Sequence, residues 1–357
     1  MTDFAAASRQ AQLLRLRRLA LSALSAWGLD VRRVTHLTYW ENATWRVDAR
    51  EGRFLLRVHR PGYRTASQID AELRWLEALL AVGLEVQRPV AARDGARVVW
   101  GAAPGVPERR AVSLLSWVEG RFRPRSARPV HCRRLGEMIA RLHAASEAWN
   151  PGAWDRPRID ERDIFRLPAR PGVPEVDGLL TEAEWADWER AGRRLHGVMA
   201  GLGRGPAVYG PIHADLHLHN VVFRGAAALP IDFDDAGWGY YACDLSIPQG
   251  RLPGLSEPER CRGALLEGYA AVREPPSAEA VEAFEYCDAV MTPRWIAARL
   301  EMARVREMAP DLLRRCTARL RRWLAGATRL SAPRGYSAPE TVQICVEQSR
   351  QALAPPV

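Results

Sequence analysis

The chain has 357 residues, 47% apolar and 26% charged, an ordinary globular composition with room for one large or two smaller domains. Its net charge is +9, and all 51 of its basic residues are arginine. With no lysine, a Walker A loop ending in Gly-Lys-Ser/Thr and any Schiff-base lysine are excluded, and a cation that grips phosphate has to be an arginine fork. The arginines are dispersed among 42 acids, with no basic run interleaved with stacking aromatics, which argues against a nucleic-acid partner. No apolar run approaches the ~18 residues of a membrane span. The N-terminus, MTDFAAASRQAQLLRLRR, lacks the basic-then-apolar order of a secretory signal, so the expected location is the cytoplasm. Six cysteines, at 132, 243, 261, 287, 316 and 345, form no CxxC pair and read as buried reduced thiols.

Along the chain, Leu13, Leu16, Leu19, Leu24 and Trp27 recur at helical spacing over residues 7–27, with Gly28 as the stop. THLTYWENATWRVDAR and RFLLRVHR flank a turn at Glu51-Gly52 and predict a hairpin. Ile69, Leu73, Leu76 and Leu80 mark an amphipathic helix that ends at Gly83. RVVW (97–100) and AVSLLSWV (111–118) are strand candidates. After Gly120 the pattern turns helical at 131–146 and 181–200, joined by a Pro/Arg-rich connection, and again at 256–272, 278–303, 310–325 and 338–353. A short hairpin, VVF then ALPIDF, interrupts that run. The expectation is an α+β two-lobe fold, with a small β-rich lobe over residues 1–116, a helical lobe over 117–357, and the ligand between them.

Residues 213–222 read HADLHLHNVV. One reading is a metal cage from His213, Asp215, His217 and His219, the basis of a metal-dependent hydrolase. Such cages draw ligands from more than one segment, yet none of the eight histidines lies beyond 219 and the later cysteines are isolated. The other reading is phosphoryl transfer from Mg·ATP. Asp215 would orient or accept the proton of an attacking hydroxyl. Asn220, five residues on, and Asp232, returned by the hairpin, would offer hard oxygen ligands to magnesium.

At this point the sequence resembles the group of aminoglycoside phosphotransferases, choline kinases and type II homoserine kinases, distant relatives of the protein kinases. The resemblance covers about residues 30–330, and IHADLHLHNVVF (212–223) and LPIDFDDAGWGYYACDLS (229–246) carry most of it. It implies a two-lobe protein-kinase-like fold, ATP and Mg2+, Asp215 as catalytic base, and Asn220 and Asp232 as metal ligands. His213 and Asp244 would buttress the loop. Arg57 would stand where this group carries its phosphate-pairing cation, with Glu72 as its helix partner. SLLSWVEGR (113–121) would be the linker that meets adenine through Leu115 and through backbone groups of Ser116 and Val118. YWENATWRV (39–47) occupies the place of the phosphate-covering loop but has no glycine; Asn42, Ala43 and Thr44 could offer backbone N–H groups or a hydroxyl.

The acceptor would be a small-molecule hydroxyl, homoserine-like, amino-alcohol or sugar-like, or a protein Ser/Thr. Asp234 and Asp235 could face the metal, bind a cationic substrate group or cap a turn. His217 and Trp238 could touch substrate, as could Tyr240 and Tyr241 beside them. Glu279, Glu282, Glu285, Asp288, Trp295 and Glu301 are further pocket candidates. A catalytically silent nucleotide-binding pseudokinase is the alternative that the glycine-free loop and the arginine at position 57 leave open.

Overall fold

The computed structural model describes residues 4–326 except 5, 40, 41, 151, 162–168 and 251. The helix read over 338–353, Cys345, and Trp40 and Glu41 of the glycine-free loop lie outside the described residues. Helix α1 (Arg9–Leu24) opens at Ser8, whose hydroxyl accepts the Ala11 N–H. It ends through a 3-10 turn at Gly28, where φ is +61°, the left-handed conformation that favours glycine.

A five-stranded antiparallel sheet follows, in the order β1-β2-β3-β5-β4. Its strands are β1 (Val31–Tyr39), β2 (Ala43–Ala49), β3 (Gly52–Val58), β4 (Val99–Gly101) and β5 (Arg110–Ser116). The β2–β3 hairpin turns where the sequence predicts. The stretch before it, however, is two strands and not one: Tyr39 pairs with Ala43. The Asn42 side-chain oxygen accepts the Arg60 N–H at 3.0 Å. Ala43, Trp45, Val47, Leu56 and Val58 are buried with Leu16, Leu19 and Leu24 of α1 in one core. Helix α2 (Ala66–Ala81) starts in a Thr65/Gln68 capping box. Its apolar stripe buries Ile69, Leu73 and Leu76, and Glu72 lies on the same buried face.

The helical lobe is built on α3 (Pro129–Ala148) and α5 (Glu182–Leu202), with the short α4 (Pro174–Asp177) between them. Next come strands β7 (Tyr209–Ile212), β8 (Val221–Arg224), β9 (Ala227–Pro230) and β10 (Gly237–Tyr240), then helices α6 (Tyr241–Gln249) and α7 (Pro258–Ala270). A two-residue strand that the sequence reading missed, β6 (Arg121–Phe122), joins the β8–β9 hairpin on its outer edge. Helices α3 and α7 cross in near backbone contact. A Cβ on Gly136 would sit 2.0 Å from the Leu265 carbonyl oxygen, and one on Gly268 2.0 Å from that of Arg133.

The single helix expected over 278–303 is two, α8 (Ala278–Glu285) and α9 (Cys287–Ala297), followed by α10 (Ala303–Leu324). Tertiary packing breaks it. Tyr286 stacks on Trp323 of α10 with centroids 4.8 Å apart, and the Arg319 guanidinium donates to the Glu285 carbonyl exposed by the break. The two pieces then serve different neighbours, α8 lying on α6 and α9 on α10.

One core runs between the lobes: Trp75 of α2 meets Trp154 and Phe233 at centroid distances of 5.5 and 5.4 Å, and the Trp154 indole N–H donates to the Ala71 carbonyl at 2.8 Å. The metal-loop candidate segment is thus packed directly against α2. Among the described residues no helix is long and apolar enough to cross a membrane, and the five described cysteines are all buried and unbridged.

Candidate active site

The antiparallel β7–β10 pair delivers the loop that begins at His213. Its shape is set by a carboxylate with no solvent exposure. Asp244, near the start of α6, accepts the His213 N–H at 2.8 Å and the Ala214 N–H at 2.7 Å. Ala214 is thereby held at φ +67°. Ala214 and Asp232 are the two non-glycine residues with positive φ among the described residues, and both lie in this site. Such positions cost of order 1–3 kcal/mol each and persist only where surroundings enforce them. Behind Asp244, His143 reaches the same carboxylate at 3.3 Å, donates or accepts at Tyr269 Oη (2.9 Å), and stacks on Tyr241.

His213 is wholly buried. Its Nδ1 accepts the Asp215 N–H at 3.3 Å, so Nε2 carries the proton and donates to the Ile231 carbonyl at 3.0 Å. Burial holds it below the usual histidine range, hence neutral. The ring therefore ties Asp215 to the strand end that precedes Asp232. Asp215 itself is 40% open. Asn220 donates from its amide nitrogen to the Asp215 carboxylate at 2.8 Å and to its carbonyl at 3.0 Å. His217 Nε2 lies 3.5 Å from the same carboxylate, and His219 sits edge-on to His217. Because the Asn220 nitrogen is engaged on Asp215, its oxygen is the atom left for a cation.

The β8–β9 hairpin brings the chain back from Asn220, and the Ile231 N–H donates to the Asn220 carbonyl at 2.9 Å. That bond sets Asp232 next to Asn220. The Asp232 carboxylate is open at its tip, 55% exposed, and enclosed at its base. Burial raises it to about 6 against the pull of Arg57, and the charges of Asp234, Glu72 and Asp235 raise it further. Asp215 and Asp232 are the two carboxylates of the loop and hairpin that stay substantially exposed. A hard divalent cation such as magnesium fits that donor set, an amide oxygen and a carboxylate, with the remaining positions left to phosphate and water. Among the described residues no three His, Cys, Asp or Glu side chains are grouped to hold a metal by themselves.

Arg57 is buried on β3, and its Nη1 donates to Glu72 Oε1 at 2.8 Å. Its guanidinium also lies 3.8 Å from Asp232 and 4.0 Å from Asp234. A buried ion pair of this kind fixes direction more than it adds stability. His59, one residue beyond β3, is pushed down to about 3 by burial and by the Arg57 charge, and it hydrogen-bonds the Ser113 hydroxyl at 2.9 Å.

Leu115 is fully buried in β5. The Ser116 N–H donates to the Arg88 carbonyl at 2.8 Å, and the Ser116 hydroxyl accepts the Arg88 N–H at 2.9 Å. These bonds hold the Ser116 side chain and amide on the 88–90 segment.

The structure shows what holds the acceptor-side candidates. The Asp234 carboxylate accepts from Asn42 Nδ2 at 2.9 Å and Asp235 from the Tyr63 hydroxyl, with Arg64 Nη2 3.5 Å away. Both acids thus bind side chains of the small lobe. Tyr240 and Tyr241 are buried, Tyr240 donating to the Met199 carbonyl and Tyr241 packing on Gly210. Glu285 pairs with Arg262 and Asp288 with Arg319, which joins helices rather than lining a pocket. Trp238 is half-buried on β10 between Trp154 and the Arg158 guanidinium.

Sequence reading missed Arg156. Its side chain has no exposure, and it donates to the carbonyls of Ala236 (2.7 Å), Asp234 (2.6 Å) and Phe233 (3.4 Å), and to Gln68 of α2 at 3.1 Å. A single guanidinium thus clamps the backbone after Asp232 onto the helix that carries Glu72. Nothing marks it in the sequence, where it is one arginine of 51. Gln87, buried, accepts from the Asp232 N–H at 3.5 Å and was equally silent.

With this geometry in hand, likeness to known proteins becomes informative. Residues 35–281 match the family model described as the phosphotransferase enzyme family. Among curated relatives, a homoserine kinase of Acidiphilium cryptum is 30% identical over 67% of this chain and 71% of its own. A protein of Deinococcus radiodurans without an assigned activity is 30% identical over 76% of each chain. Among solved structures, a microcompartment-associated aminopropanol kinase superposes with a TM-score of 0.73 at 27% identity, covering 88% of this chain and all of that one. A loop aimed by Asp244, an asparagine whose amide nitrogen is fixed on Asp215, and a match over most of the chain lead to one statement: the protein belongs to the phosphotransferase enzyme family, with its two-lobe protein-kinase-like fold.

Proposed function

We propose that the protein is an ATP- and magnesium-dependent kinase that moves the γ-phosphoryl group to the hydroxyl of a small, amine-bearing molecule. One observation carries this reading: Asn220 fixes the half-open Asp215 carboxylate while its own oxygen and that of Asp232 remain for a cation. In this reading Asp215 takes or orients the hydroxyl proton, Arg57 held by Glu72 pairs with the α/β-phosphates, and the Ser116 and Val118 backbone meets the base. Magnesium, when bound, would neutralise charge on the phosphates.

The acceptor class is drawn from the relatives. Homoserine kinases, an amicoumacin kinase and an aminopropanol kinase are named among them, and homoserine and aminopropanol each pair a hydroxyl with an amine. Nothing in the geometry favours protein Ser/Thr. Neither alternative reading is favoured. A silent nucleotide binder does not call for Asp215, Asn220 and Asp232 to converge, and a hydrolase cage lacks the grouped ligands it needs among the described residues.

The test is ADP release from ATP and magnesium across a panel that includes homoserine, aminopropanol, ethanolamine and simple sugars. The expected result is acceptor-dependent turnover, lowered ~10²–10⁴-fold in Asp215→Asn, the range of a general base. Absence of nucleotide binding, or an Asp215→Asn variant as active as wild type, would overturn the reading.

A further inference from the structure

Outside the catalytic cleft, a pocket of about 330 Å³ opens on the outer side of the β6–β8–β9 sheet. Arg121, Arg123, His131, Arg134 and Arg224 line it, and no acid does. Their charges are mostly uncompensated. Arg224 pairs with Glu85, whereas Arg134 spends one donor on the neutral Gly225 carbonyl at 2.7 Å and keeps its full charge. Arg121 and Arg123 have no ion-pair partner among the described residues, and the Arg123 Nε is buried without any hydrogen-bond partner. A buried donor left unsatisfied is costly, and a ligand oxygen would satisfy it.

Two further features point the same way. The pocket lies at the N-terminal end of α3, a 20-residue helix with no acid in its first turn, whose dipole favours an anion. His131, in that turn, accepts the Arg128 N–H on Nδ1, so its proton resides on Nε2 as one more donor. It is kept below the usual histidine range by burial and then by Arg123, Arg128 and Arg134.

We propose that this pocket is a second ligand site, separate from the cleft, that binds a small multivalent anion through its phosphoryl oxygens. Phosphoryl groups suit it better than a single carboxylate. Three uncompensated guanidinium forks and a helix terminus match several charged oxygens, and arginine takes them in bidentate fashion. Arg121 follows the lobe linker by three residues from Val118. The Arg224–Gly225 turn closes the hairpin whose two ends carry Asn220 and Asp232. A bound anion would therefore bridge the linker and the metal-side hairpin.

The experiment is calorimetric titration of metal-free inorganic pyrophosphate into the full chain, with ionic strength held constant by chloride. Wild type and Asp215→Asn are expected to bind alike. Arg121→Gln/Arg123→Gln is expected to bind at least tenfold more weakly with an unchanged Tm, and Arg121→Lys/Arg123→Lys to recover part of the loss. If the double glutamine variant does not fold, Arg123→Gln alone decides, with a threefold loss as the threshold. No binding by wild type overturns the proposal. Undiminished binding by the glutamine variant overturns it too, since the anion would then sit elsewhere.

Discussion

Asp244→Asn tests the reasoning behind the loop. The wild-type carboxylate takes the His213 and Ala214 N–H groups at 2.8 and 2.7 Å, one on each oxygen, with no solvent to replace them. Hydrogen bonds to a charged acceptor contribute ~1.5–3 kcal/mol each. Asparagine keeps one acceptor oxygen without its charge and sets an NH2 group against the other N–H. The loss is therefore one charge-assisted bond, weakening of the second, and an amide left facing a donor, in all ~2–4 kcal/mol. Part of this is offset if Ala214 leaves φ +67°, whose strain is worth ~1–2 kcal/mol. Leaving it, however, moves Asp215. Urea unfolding followed by tryptophan fluorescence should show the fall in stability, and ADP release should drop at least 10²-fold, because the carboxylate that meets the acceptor is no longer aimed. Nucleotide affinity, set at the linker, should change little. A variant with wild-type urea midpoint and wild-type turnover would show that Asp244 does not hold the loop.

Arg156→Gln should raise the magnesium concentration needed for half-maximal turnover and lower kcat, because the backbone after Asp232 loses its clamp to α2; an unchanged magnesium dependence would remove the positioning role. Gly136→Ala should cost more than the ~1–3 kcal/mol of ordinary overpacking, since its Cβ meets a backbone oxygen on α7 that cannot rotate away; a Tm equal to that of wild type would refute the close helix crossing. Acid should destabilise the protein below about pH 6.5. His59, His143 and His213 are all held neutral by burial, His59 down to about 3, so the unfolded chain binds protons that the folded chain refuses. Stability then rises with pH across that window, with a slope of up to ~1.4 kcal/mol per pH unit per group, one group's share being offset below about pH 6 by Asp232, whose raised carboxyl keeps a proton the unfolded chain releases. His59→Gln should flatten the slope of the urea midpoint between pH 6 and 4; an identical slope would place the titrating groups elsewhere.

Much of this was legible before any coordinates. HADLHLHN followed by IDF places Asp215, Asn220 and Asp232 together, because polar side chains at fixed short spacing on a loop and a hairpin cannot be far apart. Amphipathic spacing gave α1, α2, α3 and α5 within a few residues, since each has one face to bury. What misled was the same kind of local reading carried too far. Nothing local to Asp234 and Asp235 shows that Asn42, Tyr63 and Arg64, from about 170 to 190 positions away, bind them. The run 278–303 has unbroken helical character, yet Tyr286 finds Trp323 and Arg319 on another helix, and the break is decided there.

The sequence by itself determined which residues could do phosphoryl chemistry, and the absence of lysine determined that every phosphate-facing cation is arginine. Only the tertiary structure decided which arginine does what. Arg57 is buried against Glu72, Arg156 clamps the backbone after Asp232, and Arg121 and Arg123, with no ion-pair partner among the described residues, line a pocket with Arg134 and Arg224. The physical reason is that a guanidinium's role is set by burial and by the acceptors within ~3 Å of it, and in a chain with 51 identical cations neither quantity is written locally.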